Sequence, residues 1–496
     1  MEQLSALDAA FLYLETRKAP LHVGALHIFC SSDKKHASFE WFLQRVKERL
    51  PLAPVLQKRL LAIPFDLDAP YLVEDPEFSL NTHVSHIGLP DPADRNSLNA
   101  LAARIHRNPL DRHKALWELT FVDHIEGLDL PGKYHFAIIS KVHHCIVDDM
   151  GGEELLSKLL DFSPNPNTAN IVKPNACKAL PSRFRLLFES YKSVLHNPSK
   201  MISIIAKAST SGAKLLAQKT VSDFRKISNS RRAPASLFER ELSDDRVISS
   251  LNIPLAQLKI CRTLHPKATI HDIILAIISQ GLHDYLTAKQ ALPGDSLTAL
   301  VPMSHRRSQT QTDWRPNSDS RQKANQLRAN IIELATTPMD IRERIQHIQK
   351  SNSTVSKKAI QSKISQLTEF LPSVYLSLAT KLYTRWHISA AHRSLFNLVI
   401  TNVPGPQIPL YMGNAKLIEQ YGTGPIFQGM GLSIVVLSYN GTLSITVNSC
   451  SSILAEPNEL TQAIYDGFHD LYQKAKPQRV DQKSHSQERR QSPRSF

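Results

Sequence analysis

One stretch restricts the possible folds more than any other: Lys141-Val142-His143-His144-Cys145-Ile146-Val147-Asp148-Asp149. It follows a run, Tyr134 to Val142, that is apolar and β-branched enough to read as a buried strand. Behind it, Met150-Gly151-Gly152-Glu153-Glu154 and the apolar-rich residues to Leu160 read as a helix entered through two glycines. Two histidines therefore stand where a strand ends, and Asp148 stands in the loop that turns into the helix. Side chains alternate across a strand, so His143 and His144 cannot both face one cavity. One ring is expected to meet a substrate while the other packs inward and is held by a partner.

A neutral imidazole titrates near pH ~6.5, so it can take a proton from an alcohol at physiological pH. Asp148, four residues after His144, is placed to brace the turn or to pair with a cation. The chain has 21 histidines, and a His pair is elsewhere often structural or simply on the surface. The strand, the His-His-x-x-x-Asp spacing and the helix set this pair apart. Adjacent histidines on opposite strand faces make poor joint metal ligands, and no Cys or His stands at zinc spacing nearby, so no metal is expected.

A chain of 496 residues can hold two domains with proper cores. Five scattered cysteines without paired spacing argue for a reducing compartment. Met1-Glu2-Gln3-Leu4-Ser5 lacks the basic and apolar regions of a signal peptide, so a cytoplasmic location is expected. No run reaches the ~18–20 apolar residues of a spanning helix. The net charge of +14 suits nucleic acid, an anionic membrane surface or phosphorylated ligands. Between Arg183 and Arg232, 11 Lys/Arg face 2 acids and alternate with apolar residues. This reads as an interfacial helix pair or as a solvated linker helix. Zinc-finger spacing and RNP-like aromatic motifs are missing, which argues against nucleic acid.

In chain order, a Ser5/Asp8 capping pattern opens a helix through Leu12, and Leu21 to Phe29 reads as a strand. Helices are expected over Phe39–Leu50 and Leu98–His106, and a strand over Glu118–His124 with Trp117 as a core anchor. After a Pro/Asn-rich linker within 161–182 and the basic stretch, a second unit begins near Ser236. There the helices fall at Leu255–Cys261, Ala268–Ile278, Asp340–Ser351, about Lys357–Tyr383 and Pro457–Tyr472. Strands are expected at Ala299–Arg306, Asn325–Leu334 and Leu398–Pro404, with a mobile loop over 308–324. Gly429 to Ile445 reads as a hairpin turning at Asn440-Gly441. The units are thus 1–182, a basic helical linker at 183–235, 236–473, and a disordered basic tail at 474–496.

The His-His-x-x-x-Asp block resembles the motif of the CoA-dependent acyltransferase superfamily. More narrowly, the chain resembles the bacterial wax ester synthase/diacylglycerol acyltransferases. The resemblance rests also on Leu7-Asp8-Ala9-Ala10-Phe11, Pro20-x-His22-Val23-Gly24, Leu116-Trp117 and Asn402-Val403-Pro404-Gly405-Pro406. The chain departs at Asp149, where the motif has Gly, at Ala115, where the family has Pro, and at His271, where it has Asn.

The resemblance implies an α/β (α+β) fold of two chloramphenicol acetyltransferase-like domains, mixed sheets flanked by helices, with a tunnel between them. It implies His144 as general base, His143 in support and Asp148 as a structural brace paired with Arg59 or Arg306. Asn402 and Ser438 are the candidates for the oxyanion donor, with turn structure the other role for Asn402. Cys145 lies inside the motif turn and is not expected to act as nucleophile. The substrates implied are acyl-CoA with diacylglycerol or a fatty alcohol, and no cofactor. The protein is expected at a membrane or lipid-inclusion surface, as a monomer or homodimer. Two rivals stand beside this: a condensation-type ester or amide synthase on the same fold, and a catalytically weak lipid-surface binding protein.

Overall fold

The computed structural model describes residues 2–63, 69–128, 130–147, 159–164, 233–303, 328–357 and 396–476. Asp148, Asp149, the helix expected at 150–160 as far as residue 158, the basic stretch up to 232, Arg306, the loop at 308–324, the helix beyond Lys357 and the tail from 477 lie outside the described residues.

The first half opens with β1 (Glu2–Gln3), α1 (Ala6–Leu14) and β2 (His22–Ser31). Ser5 caps α1 by accepting the Asp8 N–H at 3.1 Å. There follow α2 (Phe39–Arg49), β3 (Lys58–Leu61), β4 (Tyr71–Glu74), β5 (Val84–Gly88), α3 (Arg95–Arg107), β6 (Trp117–Asp123) and β7 (Tyr134–His143). Strands β1, β4 and β3 form a small antiparallel sheet. Strand β7 is apolar on both faces because both are covered. Phe136, Ile138 and Val142 pack with Phe42 of α2, while Ala137 and Ile139 pack with Leu98, Leu101 and Ala102 of α3. Trp117 is the expected anchor: it is buried and its indole N–H donates to Leu56 O at 2.7 Å.

The second half supplies β8 (Val247–Pro254), α4 (Leu255–Cys261), α5 (Ile270–Ala288), β9 (Thr298–Met303), β10 (Arg328–Glu333), α6 (Ile341–Lys357), β11 (Leu398–Pro404), β12 (Tyr411–Met412), β13 (Ala415–Thr423), β14 (Ser433–Tyr439), β15 (Thr442–Ser449) and α7 (Pro457–Ala475). Its sheet runs β10-β9-β11-β14-β15-β8. It is mixed: β11 is parallel to β9 and β14, the other pairs antiparallel. Asn440 and Gly441 turn the β14–β15 hairpin with φ of 45° and 82°, as a type I′ turn requires. Helix α7 continues to Ala475, so the tail expected from Lys474 begins inside a helix.

Sequence position and spatial position part company at β12 and β13. They leave the second half and extend the first sheet, whose order is β12-β13-β2-β7-β6-β5. Strand β13 pairs antiparallel with β2 from Lys416↔Cys30 to Thr423↔Gly24, and it also packs on β14 and β15. The seam between the halves therefore runs along β13. Helix α3, packed against β8, closes it further.

Candidate active site

Strand β7 ends at His143, and the chain turns at once into a single 3-10 turn, His144–Ile146. Two backbone bonds fix that corner. The His143 N–H donates to Leu116 O and the His144 N–H donates to Leu21 O, both at 3.0 Å. Each histidine is thus tied to the start of a neighbouring strand. This is the fixed geometry that a strand end offers and a free loop does not.

The two rings go separate ways. His143 is fully buried. Its Nδ1 accepts the Cys145 N–H at 3.1 Å, so a neutral ring carries its proton on Nε2. That nitrogen faces the Glu15 carboxylate at 3.6 Å, an ion-pair distance rather than a hydrogen bond. Glu15 sits at the C-cap of α1 and also accepts from Arg112, at 2.6 and 3.1 Å, and from the Leu21 N–H at 3.3 Å. Burial alone would raise its carboxyl; His143 and Arg112 outweigh this and hold it at about 2. His144 is half-buried and stacks on Phe11 of α1, centroids 4.0 Å apart at 20°. Its Nδ1 is sealed from solvent and has no hydrogen-bond partner among the described residues. Burial pushes the ring down to about 4, its own carbonyl opposing and His143 adding to the shift, so the ring is neutral at pH 7.

Cys145 is buried, and its thiol is pushed well up, by burial first and by the Asp8 and Glu15 charges after it. Burial keeps it protonated. Asp148 lies outside the described residues, as does Arg306; Arg59 is ion-paired with Asp75 at 3.5 Å. The Asn402 amide donates to His271 Nδ1 at 3.0 Å. Ser438 Oγ accepts from Gly405 N–H and Gln407 Nε2, both at 3.3 Å. The structure does not bring Asn402 or Ser438 into hydrogen-bond contact with either motif histidine. His271, where the family has Asn, is the second residue of α5 and so ties that helix to β11. Ala115 is buried beside Leu116, whose carbonyl holds His143. Among the described residues no three His, Cys, Asp or Glu side chains group as metal ligands.

Glu15, Arg112 and Phe11 are the site residues that sequence reasoning left without a role. One signal was available. An acid at a helix C-terminus opposes the helix dipole, and a local choice that conflicts with its element points to another duty.

The family model for the wax ester synthase/diacylglycerol acyltransferase catalytic domain matches residues 4–274. The chain belongs to this family. The model for the C-terminal domain of the same family matches residues 323–472. The O-acyltransferase WSD of Acinetobacter baylyi is 29% identical over 467 residues, covering 93% of this chain and 94% of the relative. A probable diacylglycerol O-acyltransferase of Mycobacterium tuberculosis is 28% identical over 479 residues, 95% of this chain and 99% of that one. The solved wax ester synthase/diacylglycerol acyltransferase from Marinobacter aquaeolei VT8 superposes with a TM-score of 0.65 at 22% identity, covering 95% of this chain and 99% of that one. This last likeness establishes the two-domain acyltransferase fold. As a wax ester synthase/diacylglycerol acyltransferase the protein is an acyltransferase, and the condensation-type rival falls away. No helix among the described residues is long and apolar enough to cross a membrane.

Proposed function

We propose that the protein moves a long-chain acyl group from acyl-CoA to the hydroxyl of diacylglycerol or a fatty alcohol, with His144 as general base. One observation carries the reading: a neutral, half-buried imidazole at a rigid strand end, backed by a sealed second histidine. With Nδ1 of His144 enclosed, Nε2 is the nitrogen left to meet substrate. It takes the alcohol proton as the oxygen attacks the thioester carbonyl. The tetrahedral adduct collapses, the C–S bond breaks, and the departing CoA sulfur receives the proton from the same ring. Such help is worth ~10²–10⁴ in rate. No acyl-enzyme forms, in keeping with the protonated Cys145. No cofactor is required, because the thioester is already activated. Asp148 serves as the brace of the turn that presents His144.

Both acceptors live in lipid, and the chain carries a net charge of +14. Peripheral attachment to an anionic leaflet or lipid inclusion follows from that pairing. The test uses the full chain with radiolabelled palmitoyl-CoA, supplying diolein and hexadecanol in turn. Labelled triacylglycerol, wax ester or both are expected, with His144→Ala folded and at least about 100-fold slower. A folded protein that esterifies neither acceptor would sink the reading and favour the lipid-surface binding protein.

A further inference from the structure

The segment from Pro20 to Gly24 holds more of the site than its distance in sequence from the motif implies. Leu21 carries a double load: its carbonyl accepts the His144 N–H at 3.0 Å and its N–H donates to Glu15 at 3.3 Å. His22, the next residue, pairs with His143 across β2 and β7, so the two rings leave the same face of the sheet. His22 is buried, and its Nε2 lies 2.6 Å from His106 O in the last turn of α3. A carbonyl only accepts, so Nε2 carries the ring proton. The ring is thereby pinned in one tautomer, and its buried Nδ1 has no partner among the described residues.

The chain of contacts continues across the seam. His106 Nε2 lies 3.0 Å from the Thr423 hydroxyl, at the end of the crossing strand β13. His106 sits this close to the sheet because residue 24 is glycine: a Cβ there would meet His106 Cε1 at 2.7 Å and Ser140 O at 1.9 Å. His22, His106 and Thr423 line a narrow cleft of about 20 Å³, lined from the other half by Arg246, Asn448 and Ser449.

We propose that His22 is a positioning residue for the acyl transfer. Its bond to the end of α3 fixes the first residues of β2, and through the Leu21 carbonyl it fixes the backbone that presents His144. Thr423 sets His106, so the placement of His144 follows the docking of the two halves. The proposal rests on His144 being the base.

The test compares His22→Gln, which keeps an N–H within reach of His106 O, with His22→Leu, which keeps bulk and removes it. In folded proteins, His22→Leu should lower kcat by about tenfold or more, since a small misplacement of a reacting group is costly. KM for palmitoyl-CoA should stay within about twofold, and His22→Gln should recover most of kcat. The ¹⁵N spectrum of the His144 ring supplies a readout independent of ester formation: its signals should move in His22→Leu and return in His22→Gln. If His22→Leu does not fold, Thr423→Val carries the test, with the same signals moving less. Unchanged His144 signals in folded His22→Leu, or a His22→Gln as slow as His22→Leu, would overturn the proposal. If the unaltered protein makes no ester, the acyl-transfer reading fails separately, and the spectra still decide the positioning role.

Discussion

The Glu15 carboxylate and the His143 imidazole face one another at 3.6 Å, their side chains only 5% and 1% exposed. The carboxyl is held at about 2 despite burial, so it is charged at every physiological pH. A fixed negative charge beside Nε2 favours the proton there, which leaves Nδ1 free to accept the Cys145 N–H. Glu15→Gln keeps the shape and removes the charge. The expected result is a kcat lower by roughly 10- to 100-fold with little change in KM. Stability should drop by roughly 1–3 kcal/mol, read from the urea midpoint, because Arg112 loses its anion.

Much of this was legible in the chain, for reasons that differ by element. Strand β7 announced itself because both of its faces are apolar, and α1 because Ser5 and Asp8 write its cap. Strand β13 did not. Its Lys416, Glu419 and Gln420 are polar, and a bulge between Leu417 and Glu419 breaks the alternation that marks a strand. Its burial comes from being trapped between two sheets, a tertiary fact that no local window holds. Strand β8 was missed for a similar reason: Ser249, Ser250 and Asn252 hide an edge strand that another element covers. The two motif histidines do not part by strand alternation, because the strand ends at His143 and a 3-10 turn takes over at His144. Their partners come from helix α1, more than a hundred residues earlier, and no spacing rule reaches that far.

The pH dependence of the reaction should expose the environment of His144. Burial, and behind it the neighbouring His143, bring the ring to about 4. Above that value the free enzyme holds the base unprotonated. The acid limb of kcat/KM should therefore fall near pH 4, not near the ~6.5 of a free imidazole. Initial rates from pH 8 down to 4, taken by brief dilution from neutral stock, would show it. A limb centred near 6.5 would mean that His144 is more open to water than the fold has it.

Stability should follow a separate course with pH. His27 is pushed down to about 3 by burial. His106 reaches about 3 by burial and then by the charge of Lys141. Both folded values lie below the unfolded one. Above pH ~6.5 neither state binds the extra protons, and the stability is intact. Below it the unfolded chain takes up protons that the folded chain refuses. Each histidine then removes roughly 1.4 kcal/mol per pH unit until about pH 3. Urea midpoints at pH 7, 6 and 5 should fall steadily, and His27→Leu should flatten the slope.

The two halves are joined by a polar cluster around Glu419 and Tyr421 of β13. Arg95, at the start of α3, donates to Tyr421 Oη and to the Glu419 carboxylate, both at 2.6 Å. Asn252 on β8 donates to the same two residues, at 2.6 Å to Tyr421 and 3.0 Å to Glu419. One cation and one amide thus clamp β13 from both sides of the seam. Arg95→Met would leave the Glu419 carboxylate without its cation, with the Asn252 amide and the Tyr421 hydroxyl still donating to it, a loss of roughly 1–3 kcal/mol. Replacing the acid as well, in Arg95→Met/Glu419→Gln, removes the stranded charge. The double variant should therefore be more stable than Arg95→Met alone, and a four-point cycle of urea midpoints measures the difference. Simple additivity of the two losses would show that the clamp is solvated and that the apolar packing of β13 against β14 and β15 holds the seam by itself.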